Sequence, residues 1–510
     1  LNVCWFECCG SIPHRKSEWW ETANGEWREM ANGEWWPGWG SGRKSAVMRS
    51  EAQGGTAARS ALAIVWLVVF IDLLGFGIVL PVMPRQAGWY LAGEAPAVRG
   101  AVIGLLFAGF SLMQFLFAPA WGRWSDRVGR RPVLLVSLGG SVVFYSLYGV
   151  AVSLPVEWGW WAVGLMLVSR LGAGMAGASV GVAAAVIADC TGAERRARGM
   201  ALIGIAFGAG FTVGPLLAYV GMGLFAQQGW GVGALAALLS LGAWVLAWAR
   251  MPETRRGGGE GRLFFSWGRT VQVLGQPALG PLIGAYGLCI VAFAQFEATL
   301  ALLTGAVFGL DDQENFLVFA AVGLVLLAAG GMYRPLVRRW QEERMLGLGL
   351  GLLVVGLGGL AGVAFQSGGG LGECAVSRLA VFYLVTVLAV SGFAWVNPSI
   401  HALVSRRTDA SHQGEVLGVN QGVAALGRIA GPFLGSLLFP LTVPPVLPYV
   451  SAVVLVLLAG GLAYRGLGRT RSGSGGDSAA AGGSGEGRGT EGVAEEGVRF
   501  PSAAEFPPRC

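Results

Sequence analysis

The chain has 510 residues, of which 54% are hydrophobic and only 13% are charged. Soluble domains carry about 25% charged residues, so this chain lacks the polar groups to clothe a water-facing surface, and lipid is the solvent its composition fits. The net charge of +6 is no sign of nucleic acid, because the basic residues sit in short loops between apolar runs, where they set membrane topology.

Residues 1 to about 58 are polar, Trp-rich and aperiodic, and no amphipathic helix is expected there. Cys4, Cys8 and Cys9 near His14 match no common zinc spacing. Cys190, Cys289, Cys374 and Cys510 add no disulfide framework, so no metal and no cofactor is expected. No cleavable signal pattern precedes the first apolar run at Ala61. Met48 stands shortly before that run and reads as a start, which makes the first 47 residues an extension.

Twelve apolar runs follow, near 61–82, 100–120, 133–154, 160–188, 198–222, 230–249, 277–305, 315–335, 345–366, 378–404, 414–438 and 444–464. Each holds about 20 residues, the length a helix needs to cross roughly 30 Å of hydrocarbon. The 84 glycines suit helices that approach one another closely. Alternate loops are rich in arginine: Arg123, Arg127, Arg130 and Arg131, then Arg195 and Arg196, Arg255 and Arg256, Arg338 and Arg339, and Arg406 and Arg407. The opposite loops carry little beyond Arg85, Arg99 and Arg378 and include Glu157, Asp311 and Asp312. This asymmetry puts the arginine loops, the central loop and both termini in the cytoplasm of a multi-pass protein, with a bacterial inner membrane the expected location.

The segment 252–276 is the longest polar interruption and divides six spans from six. The expected units are a six-helix bundle over 59–251, a central loop over 252–276, a second bundle over 277–465 and a disordered Gly/Ser-rich tail over 466–510. The halves echo each other. Gly122 to Pro132 has a weaker counterpart in Gly330 to Trp340, each after the second span of its half. Gly210, Gly214 and Pro215 in the fifth span are matched by Gly427, Gly431 and Pro432 in the eleventh. The fold class is therefore an all-α membrane protein, with twelve transmembrane helices in two pseudo-symmetric six-helix bundles. Transporters are often built so, with the substrate site between the repeats.

These motifs resemble those of the major facilitator superfamily, over about residues 61–465. Gly122, Asp126, Arg127, Gly129, Arg130 and Arg131 are similar to that family's loop signature. Leu167, Arg170 and Gly174 resemble its fourth-helix motif, and Gly210, Gly214 and Pro215 the fifth-helix motif of its drug–proton antiporters. Asp72 to Pro84 resembles the first helix of tetracycline-type exporters. Ala218 stands where the fifth-helix motif usually has a further glycine, and Phe144 where many tetracycline exporters carry an acid. The resemblance implies the major facilitator fold, a monomer in lipid, and proton-coupled exchange of a small-molecule substrate.

Asp72 lies about 11 residues into its span, some 16 Å deep. A charge there is costly unless it is paired, hydrated or protonated, which makes Asp72 the first candidate for proton coupling or for contact with a cationic substrate. Packing by hydrogen bonds alone is the bland alternative. Glu297, by length in the outer half of the seventh span, is the second candidate. Arg170, about 15 Å deep, cannot shed its charge and calls for a carboxylate or a backbone carbonyl; the resemblance links it to proton transfer. Arg428 in the eleventh span is a weaker second case. At the cytoplasmic surface, Asp126 is expected against a helix N-terminus and Arg130 against Asp189; by resemblance this group is a latch between the halves. Gly210, Gly214 and Pro215 permit close approach and a kink. His401, after Asn397 and Pro398, reads as structural, with a proton relay as the alternative.

No P-loop and no catalytic constellation is present, so an enzyme is not expected. The reading is a proton-coupled antiporter exporting small amphipathic molecules or drugs. A proton-coupled uptake symporter for a sugar or other metabolite is the alternative, and a non-transporting receptor or scaffold is the reading from another class.

Overall fold

The computed structural model describes residues 62–75, 77–191, 196–224, 229–254, 267–366, 375–409 and 412–473, all within the unit Ser60–Cys510. The extension over 1–58 with Met48, residues 255–266 of the central loop and the tail beyond residue 473 lie outside the described residues. The last helix, Leu447–Gly473, continues past residue 465, where the sequence suggests that the membrane portion ends.

The described residues are helical, with no strand among them. Ten stretches are long and apolar enough to cross a bilayer. One of these, Asp312–Gln366, runs for 55 residues but breaks at Gln341, whose φ of 63° and ψ of 158° are not helical, so it holds two spans. The helix Arg196–Leu224 adds the remaining one. In chain order the twelve are Leu62–Val79, Pro96–Val128, Arg130–Ser153, Val156–Cys190, Arg196–Leu224, Trp230–Arg250, Gly280–Phe308, the two parts of Asp312–Gln366, Ala375–Arg406, Gln413–Leu438 and Leu447–Gly473. Short helices Met83–Tyr90 and Trp267–Gly275 lie before the second and seventh spans.

The basic segment read from sequence as a loop is mostly helix. The second span continues through Arg123 and Arg127 to Val128, and the third begins at Arg130. Gly129 alone makes the turn, with φ of 109°, a conformation that side chains other than glycine rarely adopt. The counterpart between the eighth and ninth spans behaves likewise, with Arg334, Arg338 and Arg339 on helix before the break at Gln341. Carrying the helix beyond the hydrocarbon keeps every backbone group bonded while the arginines reach polar surroundings.

Large apolar side chains stand exposed along the spans, among them Leu116, Val143, Leu324, Val355 and Leu457. In water this pattern would be an aggregation liability; in a multi-pass membrane protein it is the lipid face. Trp160 and Trp161 are exposed at one end of the fourth span, and Trp124, Trp248 and Trp340 lie towards the end that carries the arginines. Such aromatic belts mark both interfaces of a bilayer. The arginine-bearing end is called the basic end below, and the other the far end.

The two halves pack by the same rule. In the first, Gly210 abuts Leu73 and Leu74, and Gly214 abuts the Leu74 carbonyl and Gly77, so the fifth span lies backbone to backbone on the first. In the second, Gly427 abuts Gly287 and Ile290, and Gly431 abuts Val291 and Ala294, which places the eleventh span on the seventh in the same way. Contacts between the halves obey this symmetry too. Gly104 of the second span meets Phe433 of the eleventh, and Gly323 of the eighth meets Phe211 and Thr212 of the fifth.

Candidate functional site

Asp72 is 6% exposed, in the first span. Ser179, in the one-turn 3-10 segment that interrupts the fourth span, donates to Oδ2 at 3.0 Å. Ser141 of the third span donates to Oδ1 at 3.3 Å. Neighbouring Leu73 and Leu74 form the contact with Gly210. The carboxylate therefore sits where four helices meet, held by hydroxyls that can donate a hydrogen bond to its charged form or accept one from its neutral form. Ser137, one helical turn before Ser141, donates to the Ala176 carbonyl at 2.7 Å and fixes the third span against the fourth.

Arg170 is 1% exposed. Its guanidinium lies over the Phe110 ring, 4.7 Å from the centroid, and within the electrostatic reach of Tyr145 and Tyr148. A cation over an aromatic face is stabilised by the ring quadrupole. Where the sequence called for a carboxylate or carbonyl, the structure shows an aromatic ring under the guanidinium, which apolar spacing alone does not reveal. Tyr148 donates in turn to Gln86 at 2.6 Å, which carries the network out to the short helix at the far end. Phe144, at the place where the resemblance implies an acid, fills the notch at Gly172 on the fourth span.

Glu297 is not brought to Asp72. Against the matched glycine contacts, Asp72 lies beside the level of Gly210, whereas Glu297 lies beyond Gln295, which faces Gly435 nearest the far end. Glu297 and Arg428 lie within each other's electrostatic reach. His401 stands in company. Asn420 approaches its Nδ1 at 2.8 Å, Gln421 its Nε2 at 3.4 Å, and the Tyr286 ring lies 5.0 Å away. Tyr286 donates to Asn397 Oδ1 at 3.0 Å. Of this cluster the sequence marked only His401 after Asn397; Asn420, Gln421 and Tyr286 come from other helices.

At the basic end, Arg130 meets Asp126 at 2.6 Å, Ser125 at 2.6 Å and Asp189 at 3.3 Å. Asp126 is not the acid at the helix N-terminus. Glu253, just after the sixth span, accepts from the backbone N–H of Arg130 at 2.9 Å and of Arg131 at 3.1 Å. Asp126 sits at the C-terminal end of its helix and can only answer a cation, while Glu253 faces the exposed first N–H groups of the next helix. Arg131 donates to the Trp248 carbonyl at 2.7 Å. These partners all belong to the first half, so in this conformation they bind the ends of the second, third, fourth and sixth spans together. A Cβ added at Gly122 would meet open space.

At the far end the halves are joined directly. Arg85 Nε lies 3.1 Å from Asp312 Oδ1, with side chains 26% and 8% exposed, and Arg85 Nη1 donates to the Leu310 carbonyl at 2.7 Å. This pair was missed in the sequence because each member looks like an ordinary loop charge.

Two matched six-helix halves, joined at the far end and carrying titratable groups inside each bundle, define a secondary transporter of small molecules. The chain belongs to the Major Facilitator Superfamily, whose family model matches residues 65–432. It is 32% identical over 397 residues to the class G tetracycline resistance protein of Vibrio anguillarum, covering 75% of this chain and 91% of that one. It is 26% identical over 445 residues to the human major facilitator superfamily domain-containing protein 10, covering 78% and 91%. The structure of that human protein, described as an organic anion transporter, superposes with a TM-score of 0.55 at 24% identity, covering 80% of this chain and 99% of that one. A D-xylose–proton symporter superposes with a TM-score of 0.62 at 16% identity, covering 80% and 96%. These two likenesses show the shared fold. The relatives are transporters and not enzymes.

Proposed function

We propose that this transporter is a proton-coupled antiporter that exports small amphipathic molecules, with its basic end and both termini in the cytoplasm. One observation carries the reading: a carboxylate buried in the first span, between serines of two other spans, beside the glycine contact that sets the first span on the fifth. An ionised acid at this depth is costly and a protonated one is not. A shift of the first span against the third or fourth changes the hydroxyls that Asp72 sees, which ties its protonation to conformation. The names of the relatives, tetracycline resistance proteins among them, support efflux of drug-like compounds and make tetracyclines the first compounds to assay.

The contacts at the far end support a conformation closed to the outside. In the proposed cycle substrate enters from the basic end, the halves rock, the Arg85–Asp312 tie opens, and protons from outside replace substrate. The network of Arg130 with Asp126 and Asp189 keeps the ends of the first half moving as one body, and in the opposite conformation it forms the latch between the halves. The test is reconstitution in vesicles with an imposed pH gradient. Substrate moving opposite to protons supports antiport; substrate moving with them identifies the symporter, and no flux identifies a receptor or scaffold.

A further inference from the structure

The fourth span is not one uniform helix. It is α-helical over Gly159–Ala176 and again over Val180–Cys190, and the turn between them, Gly177–Ser179, is a 3-10 helix. A 3-10 turn inside a longer helix has poorer backbone bonds and often marks a hinge. Where the bonding pattern changes, carbonyls share or lose their N–H donors and take side-chain partners instead.

Three consecutive carbonyls at this change accept from other spans. Trp121 of the second span donates to Met175 at 2.5 Å, Ser137 of the third to Ala176 at 2.7 Å, and Gln114 of the second to Gly177 at 3.0 Å. Gly174 brings the second span within reach, because a Cβ there would collide with the Phe110 carbonyl and the two backbones touch just before the turn. The last residue of the same turn is Ser179, the donor to Asp72. A 3-10 helix advances about 120° per residue and an α-helix about 100°, so the three residues turn about 60° further than they would as α-helix. That rotation is enough to carry a hydroxyl on or off the carboxylate it faces.

We infer that Gln114 and Trp121 are positioning residues for proton coupling: by holding the carbonyls of Gly177 and Met175 they keep the fourth span in its 3-10 turn, and the turn keeps Ser179 on Asp72. Neither residue touches the carboxylate, and each acts through the serine. The inference rests on the proposed role of Asp72, and the experiment separates the two.

The experiment needs no substrate. The full chain in lipid nanodiscs is titrated by infrared spectroscopy, and the C=O stretch of protonated Asp72 is the band that Asp72→Asn removes. A hydroxyl donating to a carboxylate favours its charged form. Ser179→Ala should therefore let the band persist to higher pH, with the proton held about five-fold tighter, the worth of one hydrogen bond. Gln114→Met and Trp121→Phe, which lose the N–H and keep a long or aromatic side chain, should each move the band the same way. Added to Ser179→Ala, neither should move it further, since both act through that serine. Trp395→Phe is the comparison. Its indole donates to the Ala329 carbonyl at 3.0 Å and joins the corresponding tenth and eighth spans of the second half, where the tenth runs as one helix. It should lower the melting temperature and leave the Asp72 band in place. Monodisperse elution of each variant establishes that it is folded. A band that either Gln114→Met or Trp121→Phe leaves unmoved, shifts that add in full to that of Ser179→Ala, or an equal shift in Trp395→Phe would overturn the inference and leave proton coupling standing. If Asp72→Asn removes no band at any pH, the role of Asp72 falls and the inference falls with it.

Discussion

The tie between Arg85 and Asp312 sets how firmly the far end stays shut, and its size can be worked from the structure. Breaking a fully buried pair costs about 3–5 kcal/mol, while an exposed pair is worth under about 1 kcal/mol. Asp312 is nearly buried and Arg85 about a quarter exposed, with a second bond to the Leu310 carbonyl. The pair thus falls between the limits, at about 1–3 kcal/mol. Either Arg85→Gln or Asp312→Asn removes it from one conformation only, and the equilibrium should move about 5- to 150-fold towards the form open at the far end. Spin labels at Val98→Cys and Val443→Cys, exposed on the first and second halves at that end, report the separation in a cysteine-free background. The distance distribution should gain a longer component in both variants. An unchanged distribution in both would refute the reasoning.

Other outcomes follow from the same geometry. Gly214→Val should disable the transporter, because even a methyl there lies 3.0 Å from the Leu74 carbonyl; overpacking of this kind costs about 1–3 kcal/mol, read as a lower melting temperature together with lost flux. Glu253→Ala should cost about 1 kcal/mol through the lost cap on the third span, and thermal unfolding in detergent measures it. Gly129→Ala should be more damaging than Gly122→Ala. The first forces a side chain to φ of 109° beside Glu253, and the second adds a methyl to open space; comparison of folded yield decides between them.

The spans were legible because lipid imposes a simple rule on the chain. About 20 apolar residues are needed per crossing, and the arginine loops mark every second turn. The duplicated glycines near Gly210 and Gly427 announced two matched halves, and the structure adds that they set the fifth span on the first and the eleventh on the seventh. The partners of buried polar groups were less legible, because they depend on the rotation and depth of neighbouring helices. The pair of Arg130 with Asp189 could be guessed from two helix ends at one surface. The Phe110 cradle of Arg170, the serines around Asp72 and the cap by Glu253 could not, since each partner comes from another helix or connection with no mark of its own. Where the fifth-helix pattern departs, Ala218 is fully buried, so a small side chain still fits there.

Proton coupling through Asp72 is the centre of this account, and Asp72→Asn in reconstituted vesicles tests it most directly. Accumulation driven by a pH gradient should fall to the level of vesicles without protein, while exchange of labelled for unlabelled substrate, which needs no net proton movement, persists. Accumulation by the variant at the rate of the unaltered protein would contradict the assignment.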